Sequence, residues 1–255
     1  MKYKSVIAFG DSHVAGCELT QGTQIADYLS GKTTLEEMDA VNKTLSFPNF
    51  VAKQLGVPCY NYAISGGSNE RSLRLLPTAL AQHPDSLVLF GYIAQNRREF
   101  YYDDPGKFLG RDDDNYMQVG VQWYNTGTAD LAKKHGVTHP INNMFVEDML
   151  RWKQGDHTSI LNAMYYVQQA CKHNSADLVH VFLFRDLYDK AHAVNALLDT
   201  SNILNFNTED NDGYGQYQQW AHNCGYEKLP VGHYGQAAHD QLGKLILDHL
   251  CQQNT

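Results

Sequence analysis

Short, mostly apolar runs recur along this chain. They cover residues 5–9, 59–64, 86–91 and 178–184. Mostly apolar runs of this length are typical of strands that a parallel sheet buries on both faces. We therefore predict four parallel strands at these positions.

Between and after these runs, apolar residues recur at helical spacing. The pattern predicts helices over residues 47–55, 69–80, 160–171 and 236–251. Pro48 and Gly56 are start and stop signals for the first of these helices. Pro77 is expected to end or kink the second helix early. In the last helix the apolar positions form one face, and His239 is expected on the helix surface.

The alternation of strands with helices predicts a three-layer α/β/α domain with a parallel sheet. We expect one domain over residues 1–255. A segment rich in Asp, Asn, Gly and Tyr interrupts the pattern at about residues 101–155. So long a segment in a compact domain is usually functional or disordered, and this one is expected to form a cap or side lobe beside the active site. Residues 22–46 are expected to form a second, smaller insertion.

Composition excludes several classes of partner. The chain has 20 basic and 28 acidic residues and a formal net charge of −8. A broad nucleic-acid or anionic-membrane surface needs clustered Lys and Arg, so neither partner is expected. The first apolar run is too short for a signal peptide, and no run is long enough to span a membrane. With five cysteines and no CxxC spacing, these features favour a cytoplasmic protein with reduced thiols.

The first strand leads directly into Gly10-Asp11-Ser12-His13. Asp and Ser are good helix N-caps, so a plain strand-to-helix connection explains these residues. A serine nucleophile explains them equally well, because open α/β sheets bind ligands at the carboxyl ends of their strands. This segment alone does not distinguish the two interpretations.

Three later segments also lie next to predicted elements. The first follows the second strand, the next follows the third strand, and the last precedes the final helix. They are Ser65-Gly66-Gly67-Ser68-Asn69, Gly91 to Glu99, and the loop that ends at His233. Together with the GDS segment they resemble the SGNH (GDSL-type) hydrolases, named for blocks that contribute Ser, Gly, Asn and His. The resemblance runs from the first strand to the last helix, and it implies a flavodoxin-like fold.

The resemblance assigns roles to four residues. Ser12 matches the nucleophile and His233 the general base. Gly66 matches the glycine whose N–H joins the oxyanion hole, with Gly67 as the alternative. Asn96 matches the side-chain donor to the same oxyanion, and Gln95 supplies an equivalent amide. No metal or cofactor is implied, and His135 and His139 lack the helix that a zinc motif needs.

This chain departs from the family pattern at two points. The Asp that commonly stands three residues before the histidine is replaced by Pro230. His233 must then lean on a backbone carbonyl or on a carboxylate from elsewhere. The candidates are Glu227 and, in the polar loop upstream, Glu209, Asp210 and Asp212.

The second departure is the third block, whose spacing after Gly91 is stretched. Arg97 there either forms a structural ion pair with Glu99 or contacts a substrate anion. Around the serine, we expect Asp11 to bond local backbone and His13 to form a wall of the pocket.

The sequence therefore predicts hydrolysis of a carboxylic ester through an acyl-Ser12 intermediate. The tyrosine-rich insertion favours an acylated carbohydrate, while a small lipid-like or thioester substrate is the rival. Two alternatives stay open. One is a glycan-binding module with little turnover, suggested by the missing aspartate. The other is an acyltransferase that uses the same site.

Overall fold

The computed structural model describes residues 2–20, 27, 32–93, 97–101, 116–120, 157–184, 196–206, 216–230 and 232–253. Its strands are β1 (Ser5–Phe9), β2 (Cys59–Asn61), β3 (Ser86–Tyr92), β4 (Arg97–Tyr101), β5 (Tyr116–Gly120) and β6 (Asp177–Phe182). Its helices are α1 (Ser12–Ala15), α2 (Leu35–Lys43), α3 (Phe47–Leu55), α4 (Asn69–Gln82), α5 (His157–His173), α6 (Tyr217–Asn223) and α7 (Gln236–Gln253).

Four strands form a parallel sheet in the order β2-β1-β3-β6. β1 is central, with Val6 opposite Leu87 of β3 and Cys59 of β2. Because the strands are parallel, the segments that leave β1, β2 and β3 emerge at one edge of the sheet. These are the segments that the sequence singles out for chemistry.

Both faces of the sheet are covered. Val6 and Ala8 of β1 belong to a core cluster with residues of α3, α6 and α7. Ile7 and Phe9 belong to a second cluster with residues of α4 and α5. Alternate side chains of a strand point to opposite faces, so the apolar run of β1 fills two cores. The predicted three-layer α/β/α fold is confirmed.

Of the two effects predicted for Pro77, an early end of the helix is wrong. α4 continues through the proline to Gln82. Proline removes one helical hydrogen bond, but Leu76, Ala79 and Leu80 around it are buried in the core beneath the sheet. This packing holds the helix on both sides of the proline.

Of the predicted insertion at residues 101–155, only Tyr101 and Tyr116–Gly120 belong to the described residues. Within them β4 and β5 pair as an antiparallel ribbon, with Tyr101 opposite Tyr116. Glu99 of β4 forms a bidentate salt bridge with Arg74 of α4, at 2.8 and 2.7 Å. The ribbon is thereby joined to the helix that follows β2. The expected cap itself lies outside the described residues.

Candidate active site

Ser12 lies where β1 ends and the short helix α1 begins. Asp11 is the N-cap of α1, and its carboxylate accepts a hydrogen bond from the His13 N–H at 3.0 Å. Gly10 before it has a φ of +150°, and a Cβ there would lie 2.3 Å from a methyl group of Val14. The glycine therefore permits the tight turn that brings the serine to the edge of the sheet.

His233 reaches Ser12 from the loop that precedes α7. Its Nε2 lies 2.7 Å from the Ser12 Oγ. The loop is held by the Leu229 N–H, which donates to the His233 carbonyl at 2.7 Å, and by a bridge between Lys228 and Tyr234. The two side chains stand at the distance that proton transfer from a hydroxyl to an imidazole requires.

The other ring nitrogen of His233 meets Glu18. Nδ1 lies 2.7 Å from Glu18 Oε2, and the His233 backbone N–H donates to the same oxygen at 3.2 Å. The Glu18 side chain is fully buried, and that of His233 is 12% exposed. A carboxylate at Nδ1 is a hydrogen-bond acceptor, so it favours the tautomer with the proton on Nδ1. Nε2 is then free of its proton and can accept one from Ser12.

A double turn after α1 carries Glu18 back beside the serine. Gly16 ends α1 in the left-handed region, with φ +79°, and Glu18 itself has φ +71°. The Cys17 N–H donates to the Ser12 carbonyl at 2.8 Å and closes the first turn. Glu18 is the site residue that the sequence reasoning missed. Its signal was a glycine that stops the helix four residues after Ser12, followed closely by an acid.

Glu227, the nearest candidate acid in the sequence, does not occupy this position. It is exposed, and its backbone carbonyl accepts from the Gly235 N–H. The carboxylate that contacts His233 is that of Glu18, because the turns after β1 bring it to the imidazole ring. Glu227 instead lies on the surface of the loop that carries His233. Glu209, Asp210 and Asp212 lie outside the described residues.

The two glycines of the second block serve different purposes. The Gly67 N–H donates to the Ile64 carbonyl at 3.0 Å, and a Cβ on Gly67 would lie 2.8 Å from the Gly10 carbonyl. Gly67 thus uses its N–H in a turn and allows the first two blocks to approach closely. Gly66 has φ +76°, and within the described part of the chain its N–H has no acceptor. Gly66 is the glycine whose N–H can serve an oxyanion.

The backbone at the end of β3, where the third block begins, is held by one side chain. The Asn69 side-chain amide donates to the Ile93 carbonyl at 2.9 Å, and its oxygen accepts from the Ile93 N–H at 3.0 Å. This pair attaches the end of β3 to the start of α4. Gln95 and Asn96 follow directly, but they lie outside the described residues.

His13 packs against the His233 ring. Its ring centroid is 4.7 Å from that of His233 and 5.2 Å from that of Phe184. Its Nε2 lies 2.9 Å from the Gln218 amide nitrogen. The side chain is buried, as a wall of the pocket would be. Of Arg97, the other residue expected to touch substrate, the structure describes only the backbone in β4.

His239 is buried, contrary to our prediction of a surface position. Its side chain is inaccessible, and its Nδ1 accepts a hydrogen bond from the Phe47 N–H at the start of α3. Burial lowers the pKa of His239 to about 3, and the nearby His13 and His233 add to the effect. The reason is that α7 packs closely on α3, since Gly243 leaves room for the Phe50 ring. His239 therefore caps a helix in the neutral form.

The described ranges contain no group of three or more His, Cys, Asp or Glu side chains that could hold a metal ion. None of the helices within them is long and apolar enough to cross a membrane.

No protein-family model and no curated protein matches this chain. Among solved structures it is similar to a carbohydrate esterase family 2 enzyme with a carbohydrate-binding domain from Corynascus thermopiles (Myceliophthora fergusii). The TM-score is 0.46 at 13% identity, over 97% of this chain and 66% of that one.

Two further structures are similar. An acetyl xylan esterase from the rumen bacterium Butyrivibrio proteoclasticus has a TM-score of 0.44 at 13% identity, over 98% of this chain and 64% of that one. A lipolytic protein of the G-D-S-L family from Desulfitobacterium hafniense has a TM-score of 0.33 at 9% identity, over 96% and 99%.

Proposed function

We propose that this protein is a serine ester hydrolase whose catalytic relay is Ser12–His233–Glu18. The observation that carries the proposal is the continuous hydrogen-bonded series Ser12 Oγ, His233 Nε2, His233 Nδ1 and Glu18 Oε2, with 2.7 Å at both contacts of the ring. A hydroxyl, an imidazole and a carboxylate in this order define the serine nucleophile mechanism on several unrelated folds.

In the first step, the Ser12 Oγ attacks the ester carbonyl carbon and its proton passes to His233 Nε2. The imidazolium that forms is stabilised by the Glu18 carboxylate. Collapse of the tetrahedral intermediate breaks the bond to the leaving oxygen, which takes the proton from Nε2 and departs as an alcohol. Water then attacks the acyl-Ser12 ester, gives its proton to His233, and releases the acid as Ser12 is restored.

Negative charge develops on the carbonyl oxygen in both steps. The Gly66 N–H and the Ser12 N–H are the donors that the described backbone offers, and Asn96 is the side-chain donor expected from the sequence. A helix leaves its first N–H groups without internal partners, and Ser12 is the first residue of α1. Removing a single oxyanion donor typically costs about 10²–10³-fold in kcat.

An acylated carbohydrate remains the substrate class that the sequence favours. The binding-only alternative was motivated by the missing aspartate. Glu18 at Nδ1 removes that motivation and favours turnover. Acyl transfer to an alcohol uses the same acyl-Ser12 intermediate. The test below therefore includes alcohol acceptors, which separate a transferase from a hydrolase.

The test is hydrolysis of p-nitrophenyl acetate by the wild type and by Ser12→Ala. We expect Ser12→Ala to lose at least about 10³-fold in kcat, since the nucleophile is absent. Equal rates for the two proteins would refute the proposal. The same assay with an acetylated xylo-oligosaccharide tests the substrate class, and added alcohol acceptors with product analysis distinguish a transferase from a hydrolase.

A further inference from the structure

Helix α2 contributes no group to the relay or to the proposed oxyanion hole. It contacts two segments that do: the turn that carries Glu18 and the loop that carries Gly66. It belongs to the segment that the sequence predicts as a small insertion, residues 22–46. Asp39 and Asn42 are three residues apart and therefore lie on one face of the helix. Both are buried, at 3% and 0% exposure. Buried polar side chains on a short surface helix need hydrogen-bond partners, and theirs lie next to the site.

Asp39 holds the loop that carries Gly66. Its carboxylate accepts from the Ser65 N–H at 2.7 Å and from the Ser65 hydroxyl at 2.6 Å. Ser65 directly precedes Gly66, so fixing its backbone and its side chain fixes the peptide whose N–H is the proposed oxyanion donor. Short hydrogen bonds to a carboxylate are among the stronger ones in proteins.

Asn42 holds the turn that carries Glu18. Its Oδ1 accepts from the Thr20 hydroxyl at 2.9 Å and from the Thr20 N–H at 3.2 Å. Thr20 lies two residues after Glu18, whose backbone is in the left-handed region. A non-glycine residue stays in that region only when its surroundings hold it. Asn42 is one of the contacts that hold this turn.

α2 itself is firmly capped. The Thr34 hydroxyl accepts from the Glu37 N–H at 3.1 Å, and the Glu37 carboxylate accepts from the Thr34 N–H at 2.9 Å. This capping box satisfies two N–H groups that the helix start leaves open. The hydrogen bonds from Thr34 and Thr33 lower the pKa of Glu37.

We propose that Asp39 and Asn42 are positioning residues, through which α2 keeps the oxyanion donor and the relay acid in register with Ser12. The inference rests on the proposed function. It makes the insertion part of the catalytic apparatus rather than a surface addition. Both residues act on groups that matter most in the transition state, so their loss lowers kcat and leaves KM nearly unchanged.

The first test compares Asp39→Ala, Asp39→Asn and Ser65→Ala with the wild type. We expect Asp39→Ala to lower kcat about 10- to 100-fold, the scale of an ångström of misplacement. Asp39→Asn is expected to recover most of this loss, because the amide oxygen still accepts from the Ser65 N–H and the Ser65 hydroxyl can turn to accept from the amide. Ser65→Ala removes one of the two hydrogen bonds to Asp39, so its kcat should lie between those of Asp39→Ala and Asp39→Asn. Affinity for phenylboronic acid, which forms a tetrahedral adduct with a catalytic serine, should fall with kcat.

The matched control is Val167→Ala on α5, which creates a cavity in the core on the other face of the sheet. We expect it to lower Tm while kcat and the affinity for the boronic acid stay within about twofold of wild type. An unchanged kcat in both Asp39→Ala and Ser65→Ala, beside normal wild-type turnover, would overturn the inference and leave the proposed function standing. Wild-type turnover that does not depend on Ser12 would overturn both.

The second test places Asn42→Ala in two backgrounds. In the wild type we expect about a 10-fold fall in kcat. In Glu18→Gln, where the relay acid is already lost, Asn42→Ala should have no further effect, because it acts through that acid. An equal fall in both backgrounds would show that Asn42 acts otherwise and would overturn its part of the inference.

Discussion

Glu18 is the residue on which the proposed relay depends, and the sequence reasoning did not identify it. Ser12 and His233 are marked by short motifs next to predicted strands and helices, so their roles could be proposed from the sequence. The partner of His233 is set by two left-handed turns, at Gly16 and at Glu18 itself. Such turns depend on tertiary support, since a left-handed glutamate is unfavourable in isolation. Sequence position therefore favours acids upstream of the histidine, Glu227 and the loop acids Glu209, Asp210 and Asp212, over an acid beside Ser12.

This geometry predicts that Glu18→Gln lowers kcat for p-nitrophenyl acetate by about 10²–10⁴-fold, with KM little changed. The amide keeps the shape of the side chain, but it stabilises neither the imidazolium nor the productive tautomer as a carboxylate does. Steady-state kinetics at neutral pH measure the effect. Glu227→Gln is the matched control, and we expect its kcat to stay within about twofold of wild type. If Glu227→Gln lowered kcat and Glu18→Gln did not, the acid that orients His233 would be Glu227.

At the scale of elements, the strands and helices follow from apolar spacing, and their junctions do not. β1 and α3 begin and end where the pattern predicts. β2 is shorter than predicted and ends at Asn61, whose side-chain oxygen accepts from the Ala63 N–H and starts the second-block loop. His239 is wrongly predicted on the surface because the spacing of apolar residues within α7 does not indicate that this helix packs on α3. Loops and helix contacts of this kind depend on residues distant in sequence.

One such junction is the Asn69–Ile93 pair, and it yields a prediction. Asn69→Ala leaves two backbone groups of Ile93 without their partners, which costs about 1–3 kcal/mol of unfolding free energy. It also releases the start of the segment that leads to Asn96, so we expect kcat to fall as well. Urea unfolding and ester hydrolysis measure the two effects.

Asn69→Asp is the informative companion. Its carboxylate still accepts from the Ile93 N–H, but it cannot donate to the Ile93 carbonyl. We expect intermediate stability and intermediate kcat. A normal kcat in Asn69→Ala, despite reduced stability, would show that the junction does not position the third block.

At the scale of the whole molecule, two buried histidines make stability depend on pH. His180 lies between Tyr92 and Gln168 beneath the sheet, and His239 caps α3 above it. Burial lowers the pKa of each to about 3. An unfolded histidine has a pKa near 6.5, so between these values the unfolded chain binds protons that the folded one does not. Stability therefore falls as the pH drops below about 6.5.

We expect each of the two histidines to contribute about 2 kcal/mol to the loss of unfolding free energy between pH 7.5 and pH 5. Urea unfolding of the wild type and of His180→Gln at both pH values isolates one contribution, because the carboxylates titrate alike in both proteins. The loss in the variant should be smaller by that amount. Equal losses in the two proteins would show that His180 is protonated in the folded state.

The central claim is that Ser12, activated by His233 and Glu18, is the nucleophile. Treatment with a fluorophosphonate ester, followed by peptide mass spectrometry and residual ester hydrolysis, tests it most directly. The account predicts a single adduct on Ser12, formed in step with the loss of activity, and no adduct in Ser12→Ala or in His233→Ala. Full activity after prolonged treatment, or an adduct on another residue that tracks the loss of activity, would contradict it.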